Sequence, residues 1–597
     1  MSTLRTRVEL GLWPQFVHHS PRYLVGVALL GLYQLAQYWF DTRLRHAINH
    51  TLDGKMELAR HLGLQLILVV LAAFVVRVLS RVVVFNAGRN AEYDIRASLE
   101  EHLLKLGPSF YGRMTTGEIM SRVTNDLGQV RLLLGFGVLN LINTIFALIS
   151  SLAVTLPISV KLTFAALLPV PLLLLVSRKL SHQFYVRTRD NQAALGAVSS
   201  RVQTSISGVR VIRSFALEEQ EIAAFERINR DYLEKSLSLA RLRGSLGPIM
   251  QISIAVGILV VFWYGGTLVL NKELDPGGFL AFNRALGRLT WPLLSLGFVY
   301  GLVARGRASY ERLAEVLRAE PDIVDGPLHA PNGDGSGLRV EHLSFSYGEN
   351  RVLDDVSFSL PTGQSLAIVG RTGGGKSTLA LLLARLQPTP PASVFLDGTD
   401  VCSLPLKEVR GAIGYAQQSA FLFSTTASRN VGFPLDDPDA DESRLRIEAA
   451  AQEARVYEEL AGLPDGFDTV VGERGVQLSG GQKQRVALAM AFVSKPRILI
   501  LDDPLSAVDA RTERGILDAI ERQKRERSVL LITHRVAAAS RCDRILVLDR
   551  GRIVDSGTHD ELVRRGGLYA VFAEEQRIES ELERLGKAEV EMEARPS

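Results

Sequence analysis

Residues 365–386 read SLAIVGRTGGGKSTLALLLARL, and the fold of the second half of the chain turns on them. SLAIVG is a buried-strand pattern and STLALLLARL a helical one. Between them lies Gly370-Arg371-Thr372-Gly373-Gly374-Gly375-Lys376-Ser377, a GxxxxGKS run in the strand–loop–helix context that gives it meaning. Glycines let a backbone wrap closely around phosphates. Lys376 offers a point charge to the β- and γ-phosphates, and Ser377 supplies an oxygen to Mg²⁺. Gly370 through Ser377, with Thr378 beside them, is therefore the expected ATP-binding segment, and ATP and Mg²⁺ are the expected ligands.

Further strands extend the same site. RILILD at 497–502 ends in Asp502, a natural Mg²⁺ carboxylate, and SVLLIT at 528–533 delivers His534 where it could meet a γ-phosphate and order the attacking water. Tyr347, in FSYG, could stack on adenine. Leu478-Ser479-Gly480-Gly481-Gln482 stands about a hundred residues after the glycine loop, and the run QKQRVALAMAFV behind it predicts a helix beginning at Ser479 and the two glycines. Backbone N–H groups there, with the positive end of the helix, suit a γ-phosphate held by another subunit.

The first half of the chain is of another kind. Of the 597 residues 47% are hydrophobic, mean hydropathy is +0.13, and nearly all long apolar runs precede residue 305. Six segments are long enough for a bilayer, which needs about 20 residues each: near 22–40, 59–80, 133–156, 160–178, 248–270 and 278–303. The second and fourth connections between them, roughly 50 and 70 residues by this placement, look helical and amphipathic. Lys and Arg crowd the connection from Arg178 to Arg243, whereas the loops near 157–159 and 271–277 hold only Lys272. The positive-inside rule then puts the long connections, both termini and the ATP site in the cytosol, with the chain in the cell membrane. Residues 8–19 could lie on the inner surface as an interfacial helix.

A net charge of +4 is too small for this size to argue for nucleic acid. Cys402 and Cys542 match no metal spacing and read as free thiols. No short apolar core with a small-residue cleavage site opens the sequence, so no removable signal peptide is expected. The expected fold is an α-helical six-span transmembrane domain fused to an α/β P-loop nucleotide-binding domain with a helical signature subdomain. Its parts are an interfacial segment at 1–21, the membrane domain at 22–320, a linker at 321–337, the ATP-binding domain at 338–575 and a charged tail at 576–597.

With these motifs together, the chain resembles a half-transporter of the ATP-binding cassette exporter family, multidrug and lipid type. The likeness covers about residues 8–575. It implies a dimer in which two cassettes sandwich ATP head to tail, so that Leu478–Gln482 complete a partner's site. It also implies that Gln418, in IGYAQQSAFLF, reaches Mg²⁺ and couples to the membrane helices, that Glu473 in VVGERG contacts the cytosolic loops, and that Asp509 in LSAVD signals between sites. Coupling helices would fall near Phe110–Arg122 and Gly208–Phe215.

One departure from the family pattern matters. The family's hydrolytic sites carry Glu after the Mg²⁺ aspartate as general base; this chain has Asp503. Such a base must lie within roughly 2.6–3.2 Å of the proton it takes. Losing a methylene draws the carboxylate back by about 1.5 Å, and misplacement on that scale costs on the order of 100-fold in rate. DDPLSAVD thus resembles the degenerate cassette of asymmetric exporters, favouring a heterodimer over a homodimer that works slowly through Asp503. An ATP-gated regulatory subunit is a third reading.

Cargo is expected to be amphipathic: drugs, lipids or peptides. Arg284 and Arg288 stand one helical turn apart inside the sixth apolar segment. They either meet an anionic group on the substrate or pair with a carboxylate or carbonyl of the partner chain. The chain's own spans are nearly free of acids, so the pairing acid would come from outside. Asn140, Asn143 and Thr144 in the third segment and Gln34 and Gln37 in the first could line a substrate cavity, but read rather as interhelical hydrogen-bonders. Pro169, Pro171 and Pro292 read as kinks.

Overall fold

The computed structural model describes residues 12–167, 169–328, 336–505 and 510–593. The chain divides into two compact units. One comprises residues up to Lys105 together with Met114–Ala319; the other comprises Leu106–Arg113 and everything from Glu320 onward.

The first unit is helical. Leu12–His18 is a short helix exposing Trp13 and Val17, followed by long helices at Ser20–Leu52, Met56–Leu103, Glu218–Leu270 and Pro276–Arg318. Thr116–Ile158 is a continuous helical run with π-turns at Arg122–Asp126 and Leu133–Gly137. Among the described residues, Met56–Leu103 and Thr116–Ile158 are long and apolar enough to cross a membrane on length and composition. The two long connections are helical, as their amphipathic pattern predicts: EYDIRASLEEHLLKL lies largely in Met56–Leu103, and ERINRDYLEKSLSLARL lies inside Glu218–Leu270. Helices approach closely where side chains vanish. A Cβ on Gly88 would meet the backbone nitrogen of Gly135 at 2.8 Å, so glycine sets the spacing between these two helices.

Pro169 and Pro171 stand in the helix Pro169–Ser207, just after residue 168, which lies outside the described residues. Pro292 lies inside a helix.

The second unit is α/β. Its strands are β1 (Leu338–Tyr347), β2 (Asn350–Leu360), β3 (Ser365–Val369), β4 (Val394–Leu396), β5 (Thr399–Asp400), β6 (Ile413–Ala416), β7 (Ile498–Asp502), β8 (Ser528–Ile532), β9 (Arg544–Asp549) and β10 (Arg552–Gly557). Among the described residues they form a four-stranded sheet ordered β2-β1-β4-β5 and a six-stranded sheet ordered β10-β9-β3-β8-β7-β6. In the larger sheet only the β9–β10 pair is antiparallel. Every residue of β3, β7 and β8 is buried, the reason these strands read as unbroken apolar runs. Ile368 and Asp502 both pair with Ile532, so the three strands end level, with β8 in the middle. Whatever follows each strand is gathered at one edge, where open parallel sheets bind ligands.

The helix after the glycine loop spans Lys376–Leu383, shorter than its apolar sequence suggests. Arg385 takes a positive φ of 48° and turns its buried guanidinium to the carbonyls of Val401 and Leu404, which ends the helix. The C-terminal helix Leu568–Glu593 runs across residue 575 without a break.

Candidate functional site

Beyond the level ends of β3, β7 and β8 lies a cavity of about 470 Å³. Its lining includes Thr372, Gly373, Gly374, Gly375, Lys376, Ser377, Thr378, Gln418, Asp502, Asp503 and His534. The residues singled out from four separate stretches of sequence thus meet in one place. Gly375 adopts φ +95°, and a Cβ there would meet the carbonyl of Val352 at 2.9 Å, so the loop keeps its open curve only with glycine. Lys376 Nζ donates to the carbonyls of Gly370 (2.7 Å) and Arg371 (2.8 Å), which places both at the loop though neither lines the cavity.

The acids are set by burial. Asp502, at the end of β7, is 3% exposed; burial pushes its carboxyl above the ordinary aspartate range and the charge of Asp503 acts the same way. A hydrogen bond with Ser377, the Tyr415 hydroxyl at 3.4 Å and the charge of Lys376 oppose that shift. Burial lowers the Lys376 pKa in turn, against the pull of Asp502 and Asp503. Asp503 is buried, with a positive φ of 50° that Asp tolerates better than most residues. His534 Nδ1 lies 3.2 Å from Asp503 Oδ1, yet that buried oxygen accepts no hydrogen bond among the described residues. Two carboxylates, one of them with an uncommitted buried oxygen, a hydroxyl and an amide form a hard-oxygen donor set suited to Mg²⁺. The lysine and open backbone suit phosphate.

Other expected residues lie elsewhere. Tyr347 is exposed at the end of β1, edge-on to Phe345 at 5.0 Å, and does not line the cavity. Glu473 is exposed on a short turn, Glu473–Gly475. Asp509 falls outside the described residues. Leu478–Gln482 also stay clear of the cavity lining. Leu478 is buried in the core while Ser479 caps the helix Gly480–Val493. The Ser479 side chain accepts from Gln482 N–H, and Gln482 Oε1 accepts from Ser479 N–H at 2.8 Å, a reciprocal capping box.

Sequence reasoning missed Val352, Ile532 and Thr533 in the lining. It also missed Gln484, whose buried amide donates to the Asp503 carbonyl at 2.8 Å and ties this same helix to the acid. The spacing S-x-x-Q would have revealed the box; nothing local marks Gln484.

In the helical unit the expectation about Arg284 and Arg288 needs correction. Both pair with Asp41 of the same chain, which is fully buried. Arg284 also donates to Gln37 Oε1 at 2.9 Å and stacks on Phe40, with 4.0 Å from guanidinium carbon to ring centre. Asp41 stood one residue beyond the first expected span, but the helix Ser20–Leu52 continues past it. The expectation of interhelical amides holds for one pair, Gln34 Nε2 donating to Asn143 Oδ1 at 3.2 Å. Asn140 instead donates to the Phe136 carbonyl of its own helical run at 2.9 Å, and Thr144 Oγ1 is buried with no hydrogen-bond partner among the described residues.

Comparison with known proteins follows the same division. The family described as "ABC transporter transmembrane region" matches residues 22–293, and that described as "ABC transporter" matches 353–506. The chain is 34% identical to a probable multidrug resistance ABC transporter ATP-binding/permease protein, YheI, of Bacillus subtilis (strain 168), over 93% of this chain and 95% of that one. It is 33% identical to the multidrug resistance-like ATP-binding protein MdlA of Escherichia coli (strain K12), over 87% and 88%. A solved structure of a bacterial Atm1-family ABC exporter with ATP bound superposes with a TM-score of 0.74 at 27% identity, covering 93% of this chain and 98% of that chain.

Proposed function

The chain belongs to the ABC exporters that fuse a transmembrane region to an ATP-binding domain, a membrane-embedded ATP-hydrolysing half-transporter, and on that premise we propose that it is the weakly hydrolytic member of a heterodimer. The observation that carries this is Asp503. Its carboxylate occupies the place beside His534 where the family keeps a glutamate, and it is one methylene short.

Lys376 and the backbone from Gly370 to Thr378 hold the ATP phosphates, with Arg371 in that loop and Tyr347 toward the adenine. Ser377, Asp502 and Gln418 hold Mg²⁺, which fits the donor set and, when bound, offsets phosphate charge. His534 meets the γ-phosphate, and Asp503 polarises water from too far back. Leu478–Gln482 present the start of a helix to the partner's ATP, Asp509 links the two sites, and Glu473 transmits to the membrane helices. The ATP-binding domain and both termini face the cytosol. The cargo is amphipathic, a reading supported by relatives named for multidrug resistance. The in-chain acid Asp41 accounts for Arg284 and Arg288 as a packed ion cluster, leaving one net positive charge facing the helices around it.

Full-length chain, purified alone in detergent, should turn over ATP slowly, and Asp503→Glu should raise the rate on the order of 100-fold in the assembly that supplies an intact opposing signature. Turnover of several ATP per second by the unmodified chain alone, with no gain from Asp503→Glu, would overturn the degenerate-site reading.

A further inference from the structure

The loop that carries His534 is held from outside the cassette's motifs. Thr533 N–H donates to Ile368 O at 3.1 Å, and Thr533 Oγ1 accepts from Arg535 N–H at 3.0 Å. Two further backbone groups flank the imidazole, the carbonyl of His534 and the N–H of Val536. Both are satisfied by one side chain. Gln576 Nε2 donates to His534 O at 2.6 Å, and Gln576 Oε1 accepts from Val536 N–H at 2.7 Å.

An amide has one donor end and one acceptor end, and here each meets its complement. Gln576 is itself fixed. It lies seven residues, about two helical turns, beyond Tyr569, which is fully buried and hydrogen-bonded to His559 at 2.8 Å. Phe572 and Ala573, four and three residues before it and thus on the same helix face, pack into the cluster that contains Val536 and Ala539. The C-terminal helix therefore anchors against the very segment whose backbone Gln576 clasps.

We propose that Gln576 is a positioning residue for His534: its amide fixes the loop so that the imidazole stays beside Asp503 and is presented to the γ-phosphate. The C-terminal helix thereby takes part in telling ATP from ADP, because the γ-phosphate is what His534 would feel. This rests on the assignment of His534 proposed above.

The test is equilibrium binding of AMP-PNP and of ADP, each with Mg²⁺, to the full-length chain in detergent. His534→Ala should lower the ratio of AMP-PNP to ADP affinity about ten-fold, the worth of one charge-assisted hydrogen bond. Gln576→Ala should lower it by about five-fold or more with ADP affinity within about two-fold of the unmodified chain, and the double variant should lose no more than His534→Ala alone. Gln576→Glu, which keeps the acceptor and loses the donor when ionised, guards against misfolding of the alanine variant. Its ratio should fall near neutral pH and recover toward the unmodified chain's at acid pH, where the protonated carboxyl donates again. If His534→Ala lowers the ratio while both Gln576 variants stay within about two-fold of the unmodified chain, or the single losses add in the double variant, the positioning role is overturned. If His534→Ala changes nothing, the γ-phosphate assignment fails and the positioning role with it.

Discussion

Asp41 shows how much one side chain can decide. It is the buried acid between two guanidiniums on the helix Pro276–Arg318, and its removal leaves two partly buried cations facing each other with neutral Gln37 and Ser150 as their side-chain hydrogen-bond partners. Breaking such a cluster from one side costs about 3–5 kcal/mol. Asp41→Ala should accordingly lower the thermal unfolding midpoint of the detergent-solubilised chain sharply. Adding Arg284→Gln and Arg288→Gln should restore most of the loss, because no unpaired charge is then left buried. A midpoint unmoved by Asp41→Ala would show that the cluster is solvated. At this scale the sequence was only partly legible. The glycine loop, Asp502, Asp503 and His534 stand out because their chemistry is tied to strand ends a few residues away. Asp41, Gln484 and Gln576 do not, because each acts on a residue 243, 19 or 42 positions distant.

Among elements, the helix Gly480–Val493 carries two duties at its start. The capping box of Ser479 and Gln482 stabilises the helix itself, and the N–H groups of Gly480 and Gly481 between them form the surface proposed to meet a partner's ATP. The duties can be separated. Ser479→Ala should destabilise the chain by about 0.5–2 kcal/mol through the lost cap. Ser479→Asp should keep the cap, and so the unfolding midpoint, while its negative charge lowers ATP turnover of the assembled transporter. Equal turnover by Ser479→Asp and unmodified transporter would argue against a phosphate-facing surface. The boundaries of this helix and of β3, β7 and β8 were readable because buried parallel strands and capped helices leave periodic and apolar traces. The turn that ends the helix Lys376–Leu383 was not, since Arg385 is drawn out by carbonyls of residues 401 and 404.

For the molecule as a whole, family membership makes it an exporter, and the ion cluster bears on what it exports. With Asp41 present, Arg284 and Arg288 are committed to packing. Inside-out vesicles containing the assembled transporter should accumulate substrate against its gradient when given ATP, which a passive gate cannot do. Arg284→Gln with Arg288→Gln should depress accumulation of neutral and anionic substrates alike. A selective loss of anionic substrates, about ten-fold or more, would instead restore the arginines as cargo contacts.

By itself the sequence determined the two kinds of unit, the nucleotide chemistry of one, the helical character of the other, and the shortened acid at position 503. Those features are local: they reside in runs of a few to twenty residues whose periodicity, glycine content or charge has a direct conformational consequence. Tertiary structure alone decided that three strands end level so that their following residues share one cavity, that an acid on the first long helix answers two cations on the last, and that a glutamine near the C-terminus holds the histidine loop. Each of these is a meeting of groups far apart in the chain, and such meetings are fixed by how helices and strands pack.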